Sequence, residues 1–95
     1  MIYVPNFNLK LRLVTPVYDE KGEITELSYY PIVAWRLEKY GDEAYPVSVL
    51  CIDLEHALIF DPEQNQAIDV FREIVIENAS EEEMINYLKK LEEND

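Results

Sequence analysis

Apolar and polar positions alternate most regularly over residues 7 to 14, with Phe7, Leu9, Leu11 and Leu13 on one side and Asn8, Lys10 and Arg12 on the other. A period of two predicts a strand with one buried face and one wet face. Thr15-Pro16-Val17-Tyr18 extends it. Asp19-Glu20-Lys21-Gly22-Glu23 then reads as a hairpin loop in which Gly22 takes the positive φ. The chain returns from Ile24 with Leu27, Tyr29, Val33, Trp35 and Leu37 on one face, predicting a long antiparallel hairpin. The run Tyr29-Tyr30-Pro31-Ile32-Val33-Ala34-Trp35-Arg36-Leu37 holds the only Trp and predicts a strand buried on both faces. Pro31, which lacks an amide donor, belongs at a bulge or where pairing begins.

Residues 40 to 46 read as a turn, and Val47-Ser48-Val49-Leu50-Cys51-Ile52-Asp53-Leu54 as a second strongly buried strand. Glu55-His56 bends into a short strand over residues 57 to 60. Asp61-Pro62-Glu63-Gln64-Asn65-Gln66 is a polar turn, and residues 67 to 77 resume β character with a bulge or bend at Phe71-Arg72. The period then changes. Ser80 and Glu83 form a capping box, Glu81 to Glu83 suit the positive end of a helix dipole, and Lys89-Lys90 suit the other end. Met84, Tyr87, Leu88 and Leu91, widened by Ile85, make one apolar stripe. A helix of about twelve residues is marginal alone in water, so it must dock on the sheet.

These elements predict an α+β fold: a four- to five-stranded antiparallel meander sheet covered by one C-terminal helix, with a small β-barrel capped by the helix as the alternative. The expected core is Leu9, Leu11, Leu13, Val33, Trp35, Val49, Cys51, Ile74, Leu88 and Leu91. Ninety-five residues suit a single globular domain over 1–95, with a radius of gyration of roughly 12 Å. Apolar residues at 48% against 29% charged argue for a packed core and not for disorder. Cys51 is the only cysteine, which precludes an intramolecular disulfide and suits a reducing compartment. The first residues lack a basic and apolar leader, and no apolar run approaches the ~20 residues of a membrane helix. The expectation is a soluble cytoplasmic protein without membrane contact.

Charge changes the picture most. Residues 1 to 40 hold five cations and five carboxylates, whereas residues 41 to 95 hold fifteen carboxylates against Arg72, Lys89 and Lys90, so the net charge of −12 belongs to the second part. An acidic surface serves solubility. It also offers a docking face for a basic protein, because duplex DNA itself presents about one negative charge per ~1.7 Å of axis. The residues expected to form that partner-binding face are Asp53, Glu55, Asp61, Glu63, Asp69, Glu73, Glu77, Glu81 and Glu82. Small phage-encoded inhibitors of host nucleases use such surfaces; the chain is similar to them in composition and size, and no motif identifies a family. Direct binding of nucleic acid is not expected, since Tyr29, Tyr30 and Trp35 lack a basic groove around them. Those three aromatics are instead a candidate protein interface, and the strand edge beside them suits a homodimer.

Candidate chemistry is sparse. Asp53, Glu55, His56 and Asp61 supply oxygen and imidazole donors for a divalent cation, with Asp53 and Glu55 on one side of a strand, but their spacing matches no metal motif. Asp61, Glu63, Asn65 and Asp69 imitate positions of an EF-hand loop, yet Gln66 stands where Gly is needed and Arg72 where the bidentate Glu belongs. Cys51 and His56 could pair as nucleophile and base, although Cys51 sits in an apolar run where thiols are inert. There is no phosphate-binding Gly loop, G-x-S-x-G or HExxH. The expectation is therefore a non-catalytic, cofactor-free, metal-free interaction module. Its most specific form is an inhibitor or nucleic-acid mimic in a partner's basic site. The alternatives are an accessory subunit using the aromatic hairpin, and a metal-dependent enzyme.

Overall fold

The structure, a computed structural model, describes residues 2–38, 43–50 and 52–93. Its elements in order are β1 (Ile2–Pro5), β2 (Arg12–Tyr18), β3 (Ile24–Pro31), β4 (Ala34–Leu37), β5 (Ala44–Val47), a 3-10 turn (Leu54–His56), β6 (Leu58–Asp61), β7 (Gln66–Asp69), β8 (Ile74–Glu77) and α1 (Glu81–Glu93). Five strands pair in the order β3-β2-β6-β7-β8 and three in the order β1-β4-β5. Every pairing is antiparallel. The architecture is α+β with a helix capping the larger sheet, and among the described residues the sheets do not close into a barrel.

The β2–β3 hairpin forms as its pattern predicts. Asp19 Oδ1 accepts the amides of Lys21 and Glu23, both at 2.9 Å, and Gly22 adopts φ 81°. Strand alternation then sends Val14, Leu58 and Ala67 to one face of the large sheet, where they meet the buried Met84 and Leu88 of α1. Fully burying each such side chain is worth about 1.5–3 kcal/mol. Ser80 Oγ accepts the Glu83 amide at 3.2 Å. Only half of the predicted box is made, since the Ser80 amide donates to the Asn78 carbonyl at 2.9 Å. On the opposite face, Leu13 and Ile59 pack with Ile32 and Ala57, against Trp35 and Tyr30.

Three expected strands are rebuilt. Residues 6 to 11 form a loop, with Phe7 87% and Leu9 77% exposed. Local side-chain bonds defeat the ladder there: Asn6 Oδ1 accepts the Asn8 amide at 3.1 Å and Asn8 Oδ1 accepts the Lys10 amide at 3.2 Å. The run 29–37 is divided after Pro31, which ends pairing in β3 instead of beginning it. The Val33 amide then bonds the Val47 carbonyl at 2.9 Å, passing the chain into the small sheet. Of the expected buried strand 47–54, Val47 ends β5 and the other described residues are not strand: Val49 is 77% exposed, Ser48 Oγ accepts the Leu50 amide and Asp53 caps the 3-10 turn. The bend at Phe71-Arg72 is a full reversal between β7 and β8, stabilised by Asp69 Oδ1 on the Arg72 amide at 3.1 Å and by Glu73 at φ 54°.

Of the expected core, Leu13 and Leu88 are buried, and Leu11, Trp35 and Leu91 pack half-buried against the two clusters. Leu9, Val33, Val49 and Ile74 are exposed, and Cys51 lies outside the described residues. So do residues 40 to 42 of the expected turn; its remainder starts β5. The chain extends 38 × 28 × 23 Å, so its radius of gyration, 13.3 Å, exceeds that of a more spherical body.

Candidate protein-interaction surface

Hydrogen bonds draw carboxylates from several elements to one end of the large sheet. In the β6–β7 turn, Asp61 Oδ1 accepts the amides of Glu63 and Gln64 at 3.0 and 3.4 Å, and Asn65 takes the left-handed conformation at φ 53°. The Asn65 carbonyl then accepts the Ala79 amide at 2.9 Å, fixing the start of α1 beside that turn. Gln66, opposite Glu77 in the ladder, donates to both of its carboxylate oxygens at 3.0 and 3.1 Å. Asp61, Glu63, Glu77, Glu81 and Glu82 therefore share this end, joined by Glu83. All but the half-buried Asp61 are exposed. Lys10 ion-pairs with Glu63 there.

The other predicted carboxylates are elsewhere. Asp53, Glu55 and Glu73 lie at the opposite end of the sheet, where Arg72 Nη1 donates to the Glu55 carbonyl at 3.0 Å. Asp69 has no accessible surface and leaves the candidate face altogether. Its Oδ2 accepts Arg72 Nη1 at 3.1 Å and the Tyr87 hydroxyl at 2.5 Å, under α1. Burial, and then this bond, raise the Tyr87 pKa. A strand residue two positions from Ala67 had to share its buried face, which was the signal available in the sequence.

The aromatic set also separates. Tyr29 lies on the helix-covered face, edge-on to Phe60 at 6.3 Å between centroids. Tyr30 points to the other face, and Trp35 packs against that second cluster from the small sheet, its Nε1 donating to Asn6 Oδ1 at 3.2 Å. Tyr29 is thus parted from Tyr30 and Trp35 by the thickness of a sheet. Phe7, expected on the buried face of a strand, and Leu9, expected in the core, are among the large apolar side chains that face solvent, at 87% and 77% exposed. The alternating Asn6 and Asn8, whose side chains bond backbone two residues on, are the sequence feature that marks the loop.

Asp53 and His56 pair at 2.8 Å through Oδ2 and Nδ1. That bond, followed by the one from the Glu55 amide, lowers the Asp53 pKa. Asp53 is the cap of a 3-10 turn and not a strand residue, so it does not align with Glu55 as expected. Asp61 is removed from both by the length of β6. Among the described residues no three His, Cys, Asp or Glu side chains gather as metal ligands. His56 and Asp53 border an open cleft of about 320 Å³ with Tyr18, Tyr30, Leu50 and Ile52. Tyr18 donates to Glu92, and burial together with that bond pushes its pKa up to about 12. The imagined pair of Cys51 with His56 falls outside the described residues.

Among the described residues no helix is long and apolar enough to cross a membrane. Comparison with protein-family models, curated proteins and solved structures finds no match.

Proposed function

We propose that this chain is a non-catalytic acidic interaction module, acting in the cytoplasm as an inhibitor or nucleic-acid mimic that occupies a partner's basic nucleic-acid-binding site. One observation carries the reading: the carboxylate-bearing β6–β7 turn, β8 and first turn of α1 are brought to one end of the sheet by backbone and capping hydrogen bonds, with the Asp61 and Glu77 carboxylates themselves bonded in place. Like charges gathered on one ordered backbone surface before encounter steer association with an oppositely charged partner. The separation of Tyr29 from Tyr30 and Trp35 favours this reading over an aromatic docking patch.

The test is a pull-down from a lysate of the source cells at low and high salt, with and without competing duplex DNA. Capture of a nucleic-acid-binding protein, released by salt or DNA and lost on Glu77→Lys/Glu81→Lys/Glu82→Lys, is the expected result. A partner indifferent to salt, DNA and charge reversal would overturn the proposal.

A further inference from the structure

We infer that Phe7 and Leu9 are the apolar anchor of this interface, seating in an apolar recess of a positively charged protein partner. The inference rests on the acidic-module reading and adds the contact that would hold the complex once charge has steered it together.

The loop is built to present these side chains. Asn6 is buried at its base, where Nδ2 donates to the Ile32 carbonyl at 2.7 Å and the Asn8 carbonyl at 2.9 Å. Its Oδ1 accepts the Asn8 amide and the Trp35 indole. Arg12 Nη1 closes the far side on the carbonyls of Leu9 and Leu11 at 2.7 and 2.9 Å. The backbone is thus ordered in the free protein while Phe7 and Leu9 stand 87% and 77% exposed. A few apolar side chains that fill a partner's pocket carry much of an interface's binding energy, and an ordered backbone lowers the cost of seating them.

Position supplies the charge argument. Phe7, Leu9, Lys10 and Glu63 share one shallow surface in which Lys10 pairs with Glu63, and Glu63 belongs to the β6–β7 turn that carries Asp61 and lies beside the start of α1, so the apolar pair adjoins the acidic end. A second copy would bring another −12 against the same carboxylates. A basic protein with an apolar recess satisfies both halves of the surface.

The experiment places a photocrosslinker at the loop, Phe7→p-benzoylphenylalanine, with Glu20→p-benzoylphenylalanine in the distant hairpin loop as control, and irradiates in source-cell lysate. The expected product is a crosslink to a basic protein at position 7 and not at position 20. That protein, purified, is then titrated. Phe7→Ser and Leu9→Ser should each weaken binding on the order of 30-fold while leaving the melting temperature unchanged, since both side chains are exposed. A crosslink only to another copy of the chain, to an acidic protein, or equally at both positions would overturn the inference. If Phe7→Ser/Leu9→Ser binds as wild type while Glu77→Lys/Glu81→Lys/Glu82→Lys does not bind, the anchor fails and the acidic module stands. The converse result supports the anchor and overturns the mimic.

Discussion

Replacing Tyr87 by Phe removes one hydroxyl and keeps the ring that packs under α1. The hydroxyl donates at 2.5 Å to a carboxylate, Asp69, that has no accessible surface. What remains for Asp69 is the Arg72 amide on Oδ1 and Arg72 Nη1 on Oδ2, both at 3.1 Å. A hydrogen bond to a charged group contributes about 1.5–3 kcal/mol, and a buried acceptor that loses its donor bears the desolvation cost. The expected destabilisation is therefore about 2 kcal/mol. For a domain of this size that lowers the melting temperature by roughly 8–16 °C, out of a total stability typically near 5–15 kcal/mol. Urea unfolding followed by Trp35 fluorescence should show a lower midpoint with an unchanged slope. The pH dependence adds a second check. The folded Tyr87 pKa lies above its ordinary 10.0, so its contribution is complete below pH 10 and is lost as pH rises through the folded value. The gap between wild type and Tyr87→Phe should then narrow above about pH 10. A difference within about 0.5 kcal/mol at neutral pH, or a gap that persists in alkali, would refute this account of Asp69.

Asn6→Ala leaves the buried Ile32 carbonyl and the half-buried Trp35 indole without this partner; a loss of roughly 2–4 kcal/mol and a red-shifted Trp35 emission are expected in denaturant titrations. Ser80→Ala removes the cap acceptor of α1 and should cost about 1 kcal/mol, read as a lower melting temperature, whereas Ser80→Gly should lose less. Asp53 has a folded pKa below its ordinary 3.8. Its contribution is present above that value and lost as acid titrates the folded carboxyl, so the stability advantage over Asp53→Asn should vanish at the acid end of a melting-temperature profile.

Where one local rule acts without competition, sequence reading and structure agree. The turn Asp19 to Glu23 forms because Gly22 admits positive φ and Asp19 caps its neighbours. The helix forms because Ser80 caps it and Met84 and Leu88 need a covering sheet. Where two local rules conflict, periodicity loses. Phe7 and Leu9 match a buried face, but Asn6 and Asn8 claim the backbone groups that a ladder would use. Pro31 ends one sheet instead of opening it because the small sheet, invisible to pattern, captures the following residues.

The sequence alone determined the elements with strong capping or turn chemistry, the α+β class, and the concentration of negative charge after Gly41. It could not determine which carboxylates would stand together. That depends on the order β6-β7-β8, on the packing of α1 against the sheet and on the bond from Ala79 to Asn65 that sets the start of α1 beside the turn. Nor could it separate Asp69, which strand alternation and a docked helix bury, from the exposed acids around it. Hydropathy and caps are local quantities, encoded within a few residues. The face on which a charge stands is set by contacts between segments far apart in the chain, and only the folded structure contains them.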